Sequence, residues 1–364
     1  MSAVDLAALP DERPQLPEDP ALRGGVAILG AGTIAQSAHL PAYRQYGVGV
    51  VGVWTRSPQN AATITDRFDT VGRVYASADE LLDDPAVRIV DIATPTAVRM
   101  GWIERAIEAG KHVLAQKPLT TDPAELDALP ALLAKARERG VRIAVNQNGR
   151  WAPAWRLATL LLRQQAIGEV IGVTHLHDKP LPPLVGTPFD DLDHMLVTDY
   201  LMHWIDITRT WLDPAEVVSA RATDSRVPGQ PAASHNPWSA TIALGCDTGA
   251  TAGLRIVGDA RATHPSCPFW IHGTEGTLRG SVLVGSDRLS LDRDGEVHEL
   301  PLRGQWFVDG FAGTMGELMC AIAEDREPEN SAAHAATSVR IMLAARDSAD
   351  LDGAPVAVGG GGPR

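Results

Sequence analysis

From residue 25 onward the chain becomes a regular alternation of short apolar runs and helical stretches, and no other feature restricts its fold as strongly. Val26-Ala27-Ile28-Leu29 leads into Gly30-Ala31-Gly32-Thr33-Ile34-Ala35, and a helical stretch follows to about Tyr46. Further apolar runs occupy 48–54, 73–75, 89–93, 112–115 and 141–145, most of them separated by helical patterns. SADELLDD opens on a Ser cap, while AVRMGWIERAIEAG ends at Gly110 and DPAELDALPALLAKARERG at Gly140. Ser caps the first free N–H groups of a helix, and Gly accepts the left-handed backbone that closes one. Strands alternating with helices predict βαβ units, hence a doubly wound parallel sheet covered on both faces.

The stretch 30–35 fits G-x-G-x-x-A at the first strand-to-helix turn, the position where that spacing carries meaning. Gly30 permits the tight turn, Gly32 lets a pyrophosphate approach the backbone, and Ala35 allows close helix–strand packing. The phosphates would lie on the helix start, at Thr33 and Ile34, where unpaired N–H groups and the helix dipole favour an anion. A tight turn without ligand is the plain alternative. The second strand of a NAD-binding unit should close on a carboxylate that grips the ribose 2′-hydroxyl. Here it closes on Thr55-Arg56-Ser57, whose guanidinium and hydroxyls suit a 2′-phosphate. The cofactor expected is therefore NAD or NADP, with the lean toward NADP; a solvated Arg56 is the alternative.

Residues 198–206 read TDYLMHWID. On a helix, Asp199, His203 and Asp206 share one face, amid Leu201, Met202, Trp204, Ile205 and Ile207. Burying such charges costs several kcal/mol each unless they are paired or neutralised, so the stripe calls for a chemical reason. His203 suits a proton acceptor and donor, because imidazole titrates near neutral pH. Asp206 is expected to be structural, capping or pairing with an Arg such as Arg209. His175-Leu176-His177-Asp178, with His194 and the DDLD run at 190–193, raises a metal question. The spacing matches no tight signature and no Cys is near, so the reading is a polar strand end and no metal. Trp151, Trp155, Trp204, Trp270 and Trp306 are candidates to wall a sugar site or simply to pack the core. Arg150 is a candidate for hydroxyls or a carboxylate, or for a surface ion pair.

At 364 residues the chain accommodates two domains, and 45% hydrophobic with 21% charged residues is ordinary globular composition. A formal net charge of −13 excludes nucleic acid and anionic membrane surfaces as partners, since both require concentrated Lys and Arg. No apolar window reaches the run of about 18 residues that spans a bilayer. The N-terminus is acidic and Pro-rich, unlike a secretory signal, and three cysteines at unrelated spacings fit a reducing cytoplasm. The expected organisation is a flexible tail at 1–23, a Rossmann domain at 24–147, a second domain at 148–356, to which the family resemblance given below assigns substrate binding and oligomerisation, and a Gly-rich tail at 357–364.

Three ordered motifs then combine: the glycine turn, AGKHVLAQKPL at 109–119, and Asp199-x-x-x-His203 opening a helix. Together they resemble the glucose–fructose oxidoreductase / inositol dehydrogenase (Gfo/Idh/MocA) family. Shorter stretches agree: ATPTAV at 93–98, RWAPAWR at 150–156, IGEVIGV at 167–173, IHGTEGTLRG at 271–280 and DGFAGTMGELMCAIAEDREPENS at 309–331. The resemblance implies a Rossmann domain followed by an α/β domain with a large, open, mainly antiparallel sheet. Strand-like runs at 170–177, 216–222, 239–244, 250–257 and 277–291 are compatible with that sheet. It also implies a homodimer or homotetramer joined through the sheet, catalytic Lys117, Asp199 and His203, and cofactor contacts from Thr94, Pro95, Gln116 and Lys117. Lys117, Arg150, Trp151, Asp199 and His203 are the residues expected on substrate. Three departures stand out: Gln116 replaces the usual Glu, Arg99 occupies a place where His is common, and Tyr200-Leu201-Met202 follows Asp199 in place of a small residue.

The function expected is NAD(P)-dependent interconversion of a secondary hydroxyl and a ketone on a sugar, polyol or sugar derivative. Lys117 would stabilise the alkoxide and His203 would carry the proton. A redox-assisted glycoside lyase or hydrolase and a non-catalytic nucleotide sensor are the alternatives; an imine or enone reductase also stays open.

Overall fold

The computed structural model describes residues 9–182, 184–258, 260, 262–283 and 285–359. The expected tails at 1–23 and 357–364 therefore fall partly outside the described residues, at 1–8 and 360–364. The chain divides into two compact units that are each discontinuous in sequence: 13–151 with 307–337, and 1–12 with 152–306 and 338–364.

In the first unit, β1 (Val26–Leu29), β2 (Val50–Trp54), β3 (Ile89–Ile92), β4 (His112–Gln116) and β5 (Ile143–Asn146) form one sheet in the order β2-β1-β3-β4-β5. All pairings are parallel. β1, β3 and β5 are buried along their whole length, as strands covered on both faces must be. Ser57, Ser77 and Asp122 cap the helices Pro58–Arg67, Ala78–Asp83 and Pro123–Glu138 through their side-chain oxygens. The run at 73–75 makes only an isolated parallel bridge, Val53 to Val74, in place of a strand. It is squeezed between Gly72 and the Ser77 cap, which leaves no length for a ladder.

One face of this sheet is closed by a distant stretch of chain. Met315, Leu318 and Met319, from the helix Trp306–Ala323, join Val26, Ile28, Leu40, Tyr43 and Leu114 in one buried cluster. Each such side chain contributes about 1.5–3 kcal/mol when fully buried. Residues 13–23, expected as flexible tail, are packed as well. Leu16 lies on the same cluster, Leu22 is buried, and Asp19 caps the short helix Pro20–Arg23. A Cβ placed on Gly316 would sit 2.1 Å from the Gln15 carbonyl oxygen, so the approach there requires glycine.

The second unit is built on a nine-stranded sheet: β6 (Val170–His177), β7 (Val217–Ser225), β8 (Ser239–Cys246), β9 (Thr251–Val257), β10 (Pro268–Gly273), β11 (Gly276–Ser281), β12 (Arg288–Arg293), β13 (Glu296–Leu300) and β14 (Val356–Ala357). The order is β13-β12-β11-β10-β6-β9-β8-β7-β14. Only β6 and β9 run parallel; the remaining pairs are antiparallel. Alternating burial along β8 and β9 shows one covered and one open face. The run expected at 277–291 resolves into β11 and β12 with a turn between them. β10, β13 and β14 had no separate expectation, because β10 is bounded closely by Pro and Gly and β13 is mostly polar. β14 falls at the start of the expected Gly-rich tail and pairs with β7.

Candidate active site

At the C-terminal edge of the parallel sheet, the turns after β1, β2 and β3 enclose a cavity of about 610 Å³. Gly30, Gly32, Thr55, Arg56, Ser57, Thr94 and Pro95, all expected on the cofactor, line it. Gly30 has φ +105, and a Cβ there would stand 2.8 Å from the Ala93 carbonyl oxygen. Gly32 is different: a Cβ would meet nothing within 4 Å, so its surface is open to a ligand. Thr94 Oγ1 is buried without a hydrogen-bond partner among the described residues, a donor and acceptor left for a bound group. The cradle fits a dinucleotide. Thr33 and Ile34 open the helix beside it but do not belong to its lining, and neither do Gln116 and Lys117.

The far end of the cavity holds residues that the sequence reading passed over. Trp54 and Trp102 meet at 5.5 Å between ring centroids. The Arg105 guanidinium lies 4.5 Å over the Trp102 ring and pairs with Asp79. Val98, Gly101, Trp102 and Arg105 all line the cavity and recur at helical spacing in Thr96–Glu108, the signal that would have exposed them. Ser57 Oγ is occupied as a helix cap, accepting from the Asn60 N–H at 3.2 Å, while Arg56 is exposed at the rim.

Lys117 follows β4 on the same sheet edge. Its backbone N–H donates to Gln116 Oε1 at 2.7 Å, and the Lys117–Pro118 peptide is cis. Arg99 is buried behind this turn and donates to the Thr94 carbonyl at 2.7 Å and to the Pro118 carbonyl. It thereby joins the loops after β3 and β4 from behind. Arg150 and Trp151 are buried within this unit: Arg150 Nη1 donates to the Glu329 carbonyl at 2.7 Å, and a Cβ on Gly313 would strike Trp151 at 2.2 Å.

In the second unit, Asp199 lies in a π-helical turn, Leu196–Tyr200, and His203 lies in the first turn of the helix Met202–Leu212. The Leu201 N–H reaches back five residues to the Leu196 carbonyl at 2.8 Å. The 199/203 pair therefore straddles a widened turn and does not lie on one uninterrupted α-helix. Asp199, Tyr200 and His203 are partly exposed, whereas Asp206 is buried and accepts from the Ser338 hydroxyl at 2.7 Å. The His203 ring stands edge-on to Trp306 at 5.6 Å, inside an aromatic cluster with Trp155 and Trp204.

His175, His177 and His194 are separately engaged. His175 is packed by Trp155, Trp211 and Phe269, and burial pushes its pKa down to about 3. His177 Nε2 and the Tyr200 hydroxyl are 2.9 Å apart, and burial pushes that ring down to about 4. His194 holds Asp224 at 2.8 Å and Asp350 at 3.0 Å. Among the described residues, no three His, Cys, Asp or Glu side chains are grouped to hold a metal ion. Nor is any described helix long and apolar enough to cross a membrane.

Residues 25–147 match the model for the oxidoreductase family with an NAD-binding Rossmann fold, and residues 155–279 match the GFO/IDH/MocA C-terminal domain. The chain is 30% identical over 266 residues to a 1,5-anhydro-D-fructose reductase of Ensifer adhaerens, covering 70% of this chain and 74% of that protein. It belongs to the Gfo/Idh/MocA oxidoreductase family. A D-apiose dehydrogenase of Paraburkholderia graminis is 28% identical over 74% of this Gfo/Idh/MocA chain and 70% of its own length. Other relatives align over a smaller share of the chain. A dTDP-3,4-didehydro-2,6-dideoxy-alpha-D-glucose 3-reductase of Actinomadura kijaniata is 34% identical, but over 40% of this chain and 42% of that protein. Among solved structures, an oxidoreductase from Agrobacterium radiobacter in complex with NAD+, L-tartaric acid and magnesium superimposes with a TM-score of 0.80 at 20% identity, over 92% of this chain and 98% of that one. A levoglucosan dehydrogenase in complex with NADH and levoglucosan gives 0.76 at 20% identity, over 93% and 100%. At that identity the likeness establishes the fold.

Proposed function

We propose that this family member interconverts a secondary hydroxyl and a ketone on a sugar, polyol or sugar derivative, with NADP preferred over NAD. The observation that carries the reading is the placement of Lys117. It follows β4 on the sheet edge where the Gly30–Gly32 turn and Thr94 form the nucleotide cradle. In open α/β sheets that edge is where ligands bind. Relatives named as sugar reductases and dehydrogenases, and a fold neighbour named with levoglucosan, support the substrate class.

When bound, the nicotinamide supplies the hydride acceptor or donor. In the oxidative direction His203 takes the proton of the substrate hydroxyl. The Lys117 ammonium stabilises the negative charge that gathers on that oxygen before the carbonyl forms. Asp199, before His203 in the chain, accepts a hydrogen bond from a second substrate hydroxyl and favours the imidazolium. In the reductive direction the same proton returns from His203. Arg56, exposed at the cavity rim with no carboxylate at the end of β2, receives the 2′-phosphate. The enzyme works in the cytoplasm as a homodimer or homotetramer built through the open face of the large sheet.

The test is a screen of sugars, inositols and glycosides with NADP and NAD, comparing the wild type with Lys117→Met and His203→Ala. Both variants should keep cofactor binding and lose about two or more orders of magnitude in turnover. Wild-type rates in either variant would remove that residue from the mechanism. Cofactor recycled without net NAD(P)H release would point instead to redox-assisted elimination.

A further inference from the structure

Behind the Lys117 turn lies a fully buried polar cluster drawn from three strands and two helices. Asp91 on β3 accepts on one oxygen from His39 Nδ1 and from the Tyr43 hydroxyl, both at 2.6 Å. Across the ring, His39 Nε2 is 3.3 Å from Gln116 Nε2 and 3.3 Å from Asn146 Nδ2, at the ends of β4 and β5. His39, Asp91 and Asn146 are wholly buried, and Gln116 nearly so.

The hydrogen-bond directions fix the protons. The Lys117 backbone N–H can only donate, so the Gln116 atom 2.7 Å from it is the carbonyl oxygen. The amide NH2 of Gln116 is therefore the end turned to His39. Asn146 Oδ1 lies 2.9 Å from the Thr314 hydroxyl, which also stands 3.0 Å from the Phe311 carbonyl. The Gln116 NH2 donor facing Nε2 requires a lone pair there. His39 thus carries its single proton on Nδ1, toward Asp91, and the ring is neutral. Phe311 covers the ring edge at 4.8 Å, so Asp91 is the only charged group that the described contacts bring against it.

We propose that Gln116 is a positioning residue for Lys117, holding the Lys117 backbone through a charge-neutral bridge to His39, so that the lysine stays placed without any ionisation in the bridge. An amide is the side chain that does both jobs. It accepts from the Lys117 N–H with its oxygen and donates to the imidazole lone pair with its nitrogen. A carboxylate of the same shape keeps the first bond and turns an oxygen against the lone pair. Gln116→Glu relieves that repulsion by taking up one proton on His39, leaving an imidazolium between two carboxylates. This assignment rests on the reading of Lys117 as the group that stabilises the alkoxide.

Two measurements on the full chain test it. Long-range proton–nitrogen NMR spectra, with His39 assigned by loss of its signals in His39→Gln, should show the neutral Nδ1–H form in the wild type at pH 7. Gln116→Glu should show imidazolium at pH 7. In kinetics with the best substrate of the screen, Gln116→Ala should lower kcat about tenfold to a hundredfold while cofactor KM holds within about threefold. Gln116→Glu should acquire a step that the wild type and Gln116→Ala lack. Its imidazolium, favoured by carboxylates on both sides, is present below the ordinary histidine value near 6.5 and is lost as pH rises through a higher one. Activity and melting temperature should fall together in that window. An imidazolium at His39 in the wild type, or a Gln116→Glu pH profile that superimposes on the wild type, overturns the proposal. If Gln116→Glu does not fold, the wild-type spectrum and the kcat–KM split of Gln116→Ala decide. The spectra need no substrate, so a protein that turned over no sugar would refute the proposed function and leave the bridge standing.

Discussion

Gly30 and Gly32 stand two residues apart in one motif, yet the structure gives them opposite tasks, and a matched pair of alanine substitutions separates these. At Gly30, φ is +105 and an added Cβ would lie 2.8 Å from the Ala93 carbonyl oxygen and 3.0 Å from its carbon. Both obstacles are backbone of the loop after β3, so neither swings aside. A non-glycine residue in such a backbone region costs about 1–3 kcal/mol before the clash is added. Gly30→Ala should therefore lower unfolding free energy by at least that amount in urea titrations followed by tryptophan fluorescence. At Gly32, a Cβ would meet nothing within 4 Å and no positive φ is involved. Gly32→Ala should stay within about 0.5 kcal/mol of the wild type in stability. What it fills is the approach of the pyrophosphate. Losing one or two hydrogen bonds to that charged group is worth about 1.5–3 kcal/mol, which weakens NAD(P) binding about tenfold to a hundredfold by calorimetry. A Gly32→Ala protein that binds both dinucleotides like the wild type would refute this placement of the phosphates. A fully stable Gly30→Ala would refute the account of the turn.

Two other perturbations are informative. Arg56→Ala should weaken NADP binding about tenfold and leave NAD nearly unchanged, since a phosphate-contacting charge-assisted hydrogen bond is worth about 1.5–3 kcal/mol; equal effects on both cofactors would detach Arg56 from the 2′-phosphate. His194 is partly buried, which works against its charged form, but hydrogen bonds to Asp224 and Asp350 outweigh burial and raise its pKa. Both ring nitrogens face carboxylates, so the folded state favours imidazolium. The stabilisation is complete below the unfolded histidine value near 6.5 and is lost as pH rises through the higher folded value. Melting temperature from pH 5.5 to 8.5 should show that decline in the wild type and lose it in His194→Gln; parallel curves would show that His194 contributes nothing there.

The parts of this fold that were legible in the sequence are those set by local pattern. Val26–Leu29, Gly30, Gly32 and the capped helices follow from apolar periodicity and turn chemistry within a few residues of one another. The return of 307–337 to the nucleotide-binding unit was not legible, because nothing local in the helix Trp306–Ala323 names the sheet it covers. The same limit applies to the cavity. Thr55, Arg56 and Ser57 were found from their place after β2, whereas Trp54, Trp102 and Arg105 gather only when β2 and the helix after β3 are brought together. Arg150 and Trp151 show the same limit. Their motif is local, but the surfaces they meet, at Glu329 and Gly313, belong to a segment more than 150 residues later.

The closing of the parallel sheet by Met315, Leu318 and Met319 has a consequence for how the protein is made and cut. As it leaves the ribosome, the nascent chain completes β5 at residue 146 and still lacks one wall of that core. The missing wall arrives only after a further 170 or so residues of synthesis. A gene fragment stopping near 150, the natural choice from the sequence pattern, would present Val26, Ile28, Leu40 and Leu114 to solvent and aggregate. Splicing the stretch 307–337 onto it through a short linker is the way to obtain a soluble nucleotide-binding half.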